Sequence, residues 1–144
     1  VEAYQSFLWN QVARELVQTA APADTLRAED DAGVLAFPRP ASVPPDLLRL
    51  QLPQPAHDAA VPQPAAAAYS KVLASHGLTL DALRIPGLRR PAFGAAERPL
   101  FVRATGVSLS PPSRDALAPA RSSKPFSRLA TFSLPRGAYA TVLL

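Results

Sequence analysis

Seventeen prolines in 144 residues constrain this chain more than any other feature. Proline fixes φ near −65° and has no amide hydrogen, so helix interiors and central strands exclude it. Where it is missing, regular structure can form. Apart from the last nine residues, only two windows of about twenty lack it, 1–21 and 65–85. In the first, Tyr4, Phe7, Leu8, Val12 and Leu16 recur at helical spacing and predict one apolar stripe. The second predicts a helix over Ala65–His76, with Tyr69, Val72, Leu73 and His76 on one face. Gly77 is placed to take the left-handed conformation after it, and Thr79 to cap a short turn through Leu83. Between the windows, residues 38–64 hold eight prolines, and Pro53, Pro55, Pro62 and Pro64 keep a Pro-x-Pro rhythm. That pattern predicts an extended connector, not a helix. It lacks Pro-x-x-Pro, which argues against a ligand for an SH3 domain. Short strands are expected at Val34–Phe37 and Leu48–Leu52.

The second half reads as sheet. Leu100–Ser110 alternates, with Leu100, Val102 and Ala104 on one side and Phe101, Arg103 and Thr105 on the other. Phe126–Leu134 alternates again, putting Phe126, Arg128, Ala130, Phe132 and Leu134 on a shared face. The intervening 111–125 is expected to be a long turn or loop, and Pro135-Arg136-Gly137 to end the second strand. Ala138–Leu144 contains no breaker and could open a further helix. Helical pattern is present from Val1 and no cap follows at Leu144, so the chain reads as a piece of a longer protein. The expected class is α/β in composition, of the α+β kind.

Of the residues, 48% are apolar but only 7% aromatic, and 28 are alanine. Alanine adds little buried area, so the core should be thin for this length. No apolar run approaches the roughly 20 residues that span a bilayer. No basic segment precedes an apolar one at the start, so no secretory signal is expected. A cytoplasmic, membrane-free protein follows as the expectation. With no cysteine and two histidines, disulfides, thiol nucleophiles, Cys-ligated zinc and His-rich metal sites are excluded. Neither a metal nor an organic cofactor is expected.

Charge is unevenly placed. Residues 1–83 carry five basic and nine acidic side chains, whereas 84–144 carry ten basic and two acidic ones, Glu97 and Asp115. Nine of those ten cations are arginine, whose planar fork matches phosphate oxygens and base edges. Arginine also replaces lysine in GC-rich genomes, but that leaves the one-sided placement unexplained. Nucleic acid is the natural partner of such a face.

Most self-contained chemistries fail. Gly106-Val107-Ser108-Leu109-Ser110 lacks the second glycine of a nucleophile elbow, and the six glycines form no phosphate loop. His57-Asp58 reads as a solvated pair in the connector, and Glu29-Asp30-Asp31 as a solvated turn. His76 suits the negative end of a helix dipole, and Asp115 lies in a proline-flanked loop.

Two segments carry a resemblance. Glu2-Ala3-Tyr4-Gln5-Ser6-Phe7-Leu8-Trp9-Asn10 and Phe132-Ser133-Leu134-Pro135-Arg136-Gly137-Ala138-Tyr139-Ala140-Thr141 resemble two signatures of the TruD-type pseudouridine synthases. In that family a Tyr-Gln-Ser-aromatic-Leu-Trp-Asn helix precedes a Leu-Pro-x-Gly-Ser-(Tyr/Phe)-Ala-Thr segment. The order fits, and the resemblance covers essentially the whole chain. The stretch from Leu83 through Gly87 to Leu100 is similar to the family's return from its insertion domain. The resemblance implies a partial pseudouridine-synthase catalytic fold with part of the TruD insertion domain. Residues 1–97 would be insertion domain (helix, proline-rich connector, helix), and 98–144 the closing strands of the catalytic domain.

The function so implied is isomerisation of uridine to pseudouridine in tRNA (the position-13 type) by a monomeric parent enzyme without cofactor. The target base is flipped out, as enzymes acting on a base generally require, and an aspartate is the nucleophile. That aspartate belongs to a Gly-x-Lys-Asp motif. Here Lys71 precedes Val72 and Lys124 precedes Pro125, so the motif is absent and no catalytic residue is assigned. The family's Asn-Tyr-Phe-Gly segment is missing as well. Tyr139 matches the aromatic that packs on the target uridine, with Gly137 and Arg136 as its substrate-binding neighbours; Ala138 stands where the family usually has serine. Tyr4, Phe7, Trp9 and Asn10 are expected to pack and cap the insertion-domain helix. Arg84, Arg89, Arg90, Arg98 and Arg103 are expected phosphate contacts. The rival readings are a non-catalytic basic RNA-binding module or degenerate paralogue, and a largely disordered Pro/Ala-rich interaction segment.

Overall fold

Pro22 stops the first helix. The computed structural model describes residues 1–30, 33–87, 93–119, 123–136 and 138, and in it α1 runs Glu2–Ala20. Ala21 caps α1 at φ −140 and ψ 61, outside the helical region, as the residue before a proline must be. Leu8, Val12 and Leu16 are buried along one face as the spacing predicts, joined by Gln5 and Val17. Tyr4 and Phe7, expected in the same stripe, stay 40% and 37% exposed. They sit on its edge, against His76 at the end of the second long helix. Asn10 is an exposed residue in mid-helix and caps nothing, because the helix already begins at Glu2.

β1 (Thr25–Asp30) and β2 (Gly33–Pro38) form an antiparallel hairpin with Thr25 opposite Pro38 and Asp30 opposite Gly33. Val34–Phe37 is thus a strand as expected. The acidic run expected as a free turn is instead partly strand, since Glu29 and Asp30 close β1; Asp31 lies outside the described residues. The Ser42 hydroxyl donates to Asp24 Oδ2 at 2.5 Å and Arg39 N–H to Asp24 O at 3.0 Å, closing the open end.

The connector is less extended than its proline count suggests. A single helical turn, α2 (Pro45–Leu48), starts on proline at its first position, where φ is already correct and the missing N–H has no partner to lose. β3 is Gln51–Pro53, shorter and later than the expected Leu48–Leu52. It pairs antiparallel with β4 (Glu97–Pro99), Leu52 opposite Arg98.

A 3₁₀ turn at Gln63–Ala65 leads into α3 (Ala66–Ser75). The end of α3 is the predicted one. Gly77 has φ 65, its N–H bonds Ala74 O at 3.0 Å, and Leu78 N–H reaches back to Leu73 O at 2.9 Å. This is a Schellman ending, with Leu78 packed against the core. Thr79 Oγ1 accepts the Ala82 N–H at 3.3 Å, capping the turn Asp81–Leu83 as expected.

Two compact units follow from this chain, Val1–Phe101 and Val102–Leu144. The first holds one apolar cluster between α1, α3 and the β3–β4 ribbon, built on Leu8, Val12, Leu52, Tyr69, Val72 and Leu73. The second has no buried residue among those described. There β5 (Thr105–Leu109) pairs with β8 (Ala130–Ser133), and β6 (Ser113–Arg114) with β7 (Phe126–Ser127), all antiparallel. The expected strand Leu100–Ser110 therefore begins only at Thr105, and Phe126–Leu134 is interrupted at Arg128–Leu129. Opposite that interruption stand Pro111 and Pro112, which cannot donate to a ladder. Pro135 ends β8 as predicted. Every ladder described is antiparallel, so the fold is α+β. Among the described residues no helix is long and apolar enough to cross a membrane.

Candidate nucleic-acid interface

Gln5, Ser6 and Trp9 of α1 work as fasteners. Gln5 is buried, and its amide Nε2 donates to Pro55 O at 3.0 Å and Gly94 O at 2.7 Å. Trp9 Nε1 donates to Leu52 O at 3.2 Å. Ser6 Oγ accepts from Arg98 Nη1 at 3.4 Å. From α3, the Tyr69 hydroxyl donates to Pro53 O. Carbonyls 52, 53 and 55 thus receive their hydrogens from side chains of two helices. Burial pushes the Tyr69 phenol well above its usual range, keeping it a neutral donor. Gln5 carried no signal in an apolar-stripe reading, because a polar residue there looks like a solvent position.

Beside these fasteners lies an exposed aromatic group. Tyr4 and Phe7 stack with centroids 6.1 Å apart, and His76 stands edge-on to both, at 6.3 and 5.6 Å. His76 Nε2 is 3.2 Å from Gln11 Oε1. His76 is the C-cap residue of α3, the helix end at which the sequence places it.

Of the expected cationic contacts, Arg84 follows the Asp81–Leu83 turn and is exposed. Arg98 is half-buried in β4, where its guanidinium reaches α1. Arg103 and Arg136 are exposed in the second unit. Thr105 pairs with Ser133, so the chain enters β5 from Arg103 and leaves β8 toward Arg136 at one end of the same ribbon. Arg89, Arg90, Gly137 and Tyr139 lie outside the described residues, as do 140–144 of the possible last helix.

The chain has no match among protein-family models, curated proteins or solved structures.

The side chains of His57, Asp58 and Asp115 make local contacts. His57 Nδ1 is 3.9 Å from Asp58 Oδ1, and both side chains are solvated, as expected for a loop pair. Asp115 Oδ1 accepts the Leu117 N–H at 2.9 Å, which makes it a turn-forming residue. Among the described residues no three His, Asp or Glu side chains gather as a metal site. The second unit is the more cationic: residues 102–144 carry six basic side chains and one carboxylate, Asp115. Such a surface can hold phosphates by charge and bases by stacking.

Proposed function

We propose that the chain is the C-terminal part of a TruD-type pseudouridine synthase, combining part of the insertion domain with the closing strands of the catalytic domain. Its function is to bind tRNA for isomerisation of uridine to pseudouridine, with the nucleophilic aspartate supplied from outside this sequence. The observation that carries the reading is the arrival of Arg103 and Arg136 at one end of the β5–β8 ribbon, in a unit with six cations and one carboxylate. The second family-like segment leaves the ribbon at that end. The Ala138 N–H bonds Pro135 O at 3.2 Å there, turning the chain before Tyr139.

In this role the flipped uridine lies on the Tyr139 ring, and Gly137 lets the backbone approach it without a side chain between. Stacking of that kind is worth about 1–3 kcal/mol per base. Arg103 and Arg136 hold the neighbouring phosphates; Arg84, Arg89, Arg90 and Arg98 belong to the first unit and are separate candidate phosphate contacts. Releasing a phosphate's counterion makes each true contact visible as salt dependence.

The test is binding of labelled tRNA by the whole chain at two salt concentrations. Arg103→Gln and Arg136→Gln should each reduce the slope of log affinity against log salt by about one. Tyr139→Ala should weaken binding without altering the slope. Unchanged slopes in both arginine variants would sink the interface. Pseudouridine formed in tRNA by this chain alone would refute the assignment of the nucleophile to another part of the enzyme.

A further inference from the structure

We propose that the β6–β7 ribbon is a stacking platform for single-stranded RNA, with Phe126 as the surface on which a base lies and Arg114 and Arg128 as the groups that hold the adjoining phosphates. This rests on the RNA-binding reading above and assigns it a second contact, apart from Tyr139.

The register sets Arg114 directly opposite Phe126. Side chains directly opposite in an antiparallel pair stand on one face with Cβ atoms about 5 Å apart. Arg128 follows Phe126 by two residues, at the interruption just past β7. The ring's cross-strand neighbour is therefore a guanidinium group, and a second guanidinium lies two residues further along the chain. The phenyl residue is 66% exposed, and both arginines are exposed as well. Neither arginine forms an ion pair with a described carboxylate. Asp115 adjoins Arg114, yet one of its oxygens, Oδ1, is taken by the Leu117 amide. The opposite face of the ribbon pairs Ser113 with Ser127 and is polar.

A ring that faces a cation across the ribbon, over a polar underside, fits a polyanion that carries flat bases. Single-stranded RNA supplies both parts, a splayed base for the ring and a phosphate on either side of it. A blunt duplex keeps its bases stacked inside and offers the ring nothing.

The experiment is fluorescence anisotropy of a short, mixed-sequence, labelled single-stranded RNA with the full chain. Phe126→Ala should weaken binding about tenfold or more, and Phe126→Tyr should retain it. Arg114→Gln and Arg128→Gln should each lower the salt slope by about 0.7. A duplex of the same sequence should compete poorly. Phe126→Trp gives a direct readout: its indole emission should be quenched on adding RNA, against a parent whose single tryptophan, Trp9, lies in the first unit. If the parent binds single-stranded RNA and Phe126→Ala binds it equally well, the platform is wrong while the RNA reading stands. An unquenched indole in a complex that has formed overturns it too. If the parent binds no RNA of any kind, both fall. A Phe126→Ala variant with unchanged RNA affinity but altered self-association would assign the ring to a protein contact and refute the proposal.

Discussion

Ser110 and Leu129 are joined by two hydrogen bonds of equal length. Ser110 N–H donates to Leu129 O at 2.9 Å, and Leu129 N–H donates to Ser110 Oγ at 2.9 Å. A side-chain oxygen thereby replaces a ladder carbonyl at the point where Pro111 and Pro112 interrupt the strand. It links β5–β8 to β6–β7, so the two ribbons form one long, broken hairpin. Ser110→Ala should speed hydrogen exchange at the Leu129 amide while changing global stability by less than about 1 kcal/mol, since water can reach the freed group. Unaltered exchange would show that the hydroxyl does not hold the junction.

Gln5 fastens α1 to two distant carbonyls from a buried position. Gln5→Ala should lower stability by about 1–3 kcal/mol, the loss expected when buried acceptors are left without donors. A urea midpoint unchanged from the parent would contradict the geometry.

Leu8 is fully buried in the same cluster. Leu8→Ala should destabilise by about 2–5 kcal/mol through lost transfer energy and an unfilled cavity. Phe7→Ala, one position away but exposed, should stay within about 1 kcal/mol. Comparable losses in the two variants would mean the stripe is misplaced.

Tyr69 sets a limit at high pH. Its phenol keeps its proton in the folded protein above the ordinary value of 10.0, while the unfolded chain releases it there. The unfolded state then binds fewer protons, so stability is whole below about pH 10 and falls as pH rises further, by at most about 1.4 kcal/mol per unit. Tyr69→Phe should be less stable at neutral pH, with Pro53 O left without its donor, and should lose this alkaline slope. Parallel pH profiles for parent and variant would overturn the assignment.

Gly77 holds φ 65, and a Cβ built there meets nothing within 4 Å. The penalty for alanine is then backbone strain without a clash, about 1 kcal/mol. Gly77→Asn should be milder, because asparagine enters the left-handed region more readily. Equal melting temperatures for all three chains would show that the ending of α3 is not fixed by this residue.

The helices were legible because α1 and α3 lie in the two proline-free windows and Gly77 marks an end by its own stereochemistry. The fasteners were not, because Gln5, Trp9 and Tyr69 act on carbonyls of residues 52–55, and sequence spacing does not show which carbonyls lie within reach. The one-turn helix at Pro45 ran against a rule that counts prolines as breakers, although proline favours a first turn. In the second unit alternation located the strands, but β5 begins only at Thr105, with an irregular register between Thr105 and Ser108. Phe126–Leu134 breaks where Ser110 and the two prolines shift the register again. The pairing of Arg114 with Phe126 depends on that shift, so alternation alone could not have supplied it. Arg103 and Arg136 lie far apart in sequence and flank one ribbon end only through the Thr105–Ser133 pairing.

The segment 52–55 takes its hydrogens from α1 and α3 together, so its seat is complete only when the two helices are paired. Its protection from proteolysis is then a gauge of that pairing: any substitution that separates the two helices should open this stretch to cleavage before the helices themselves unwind.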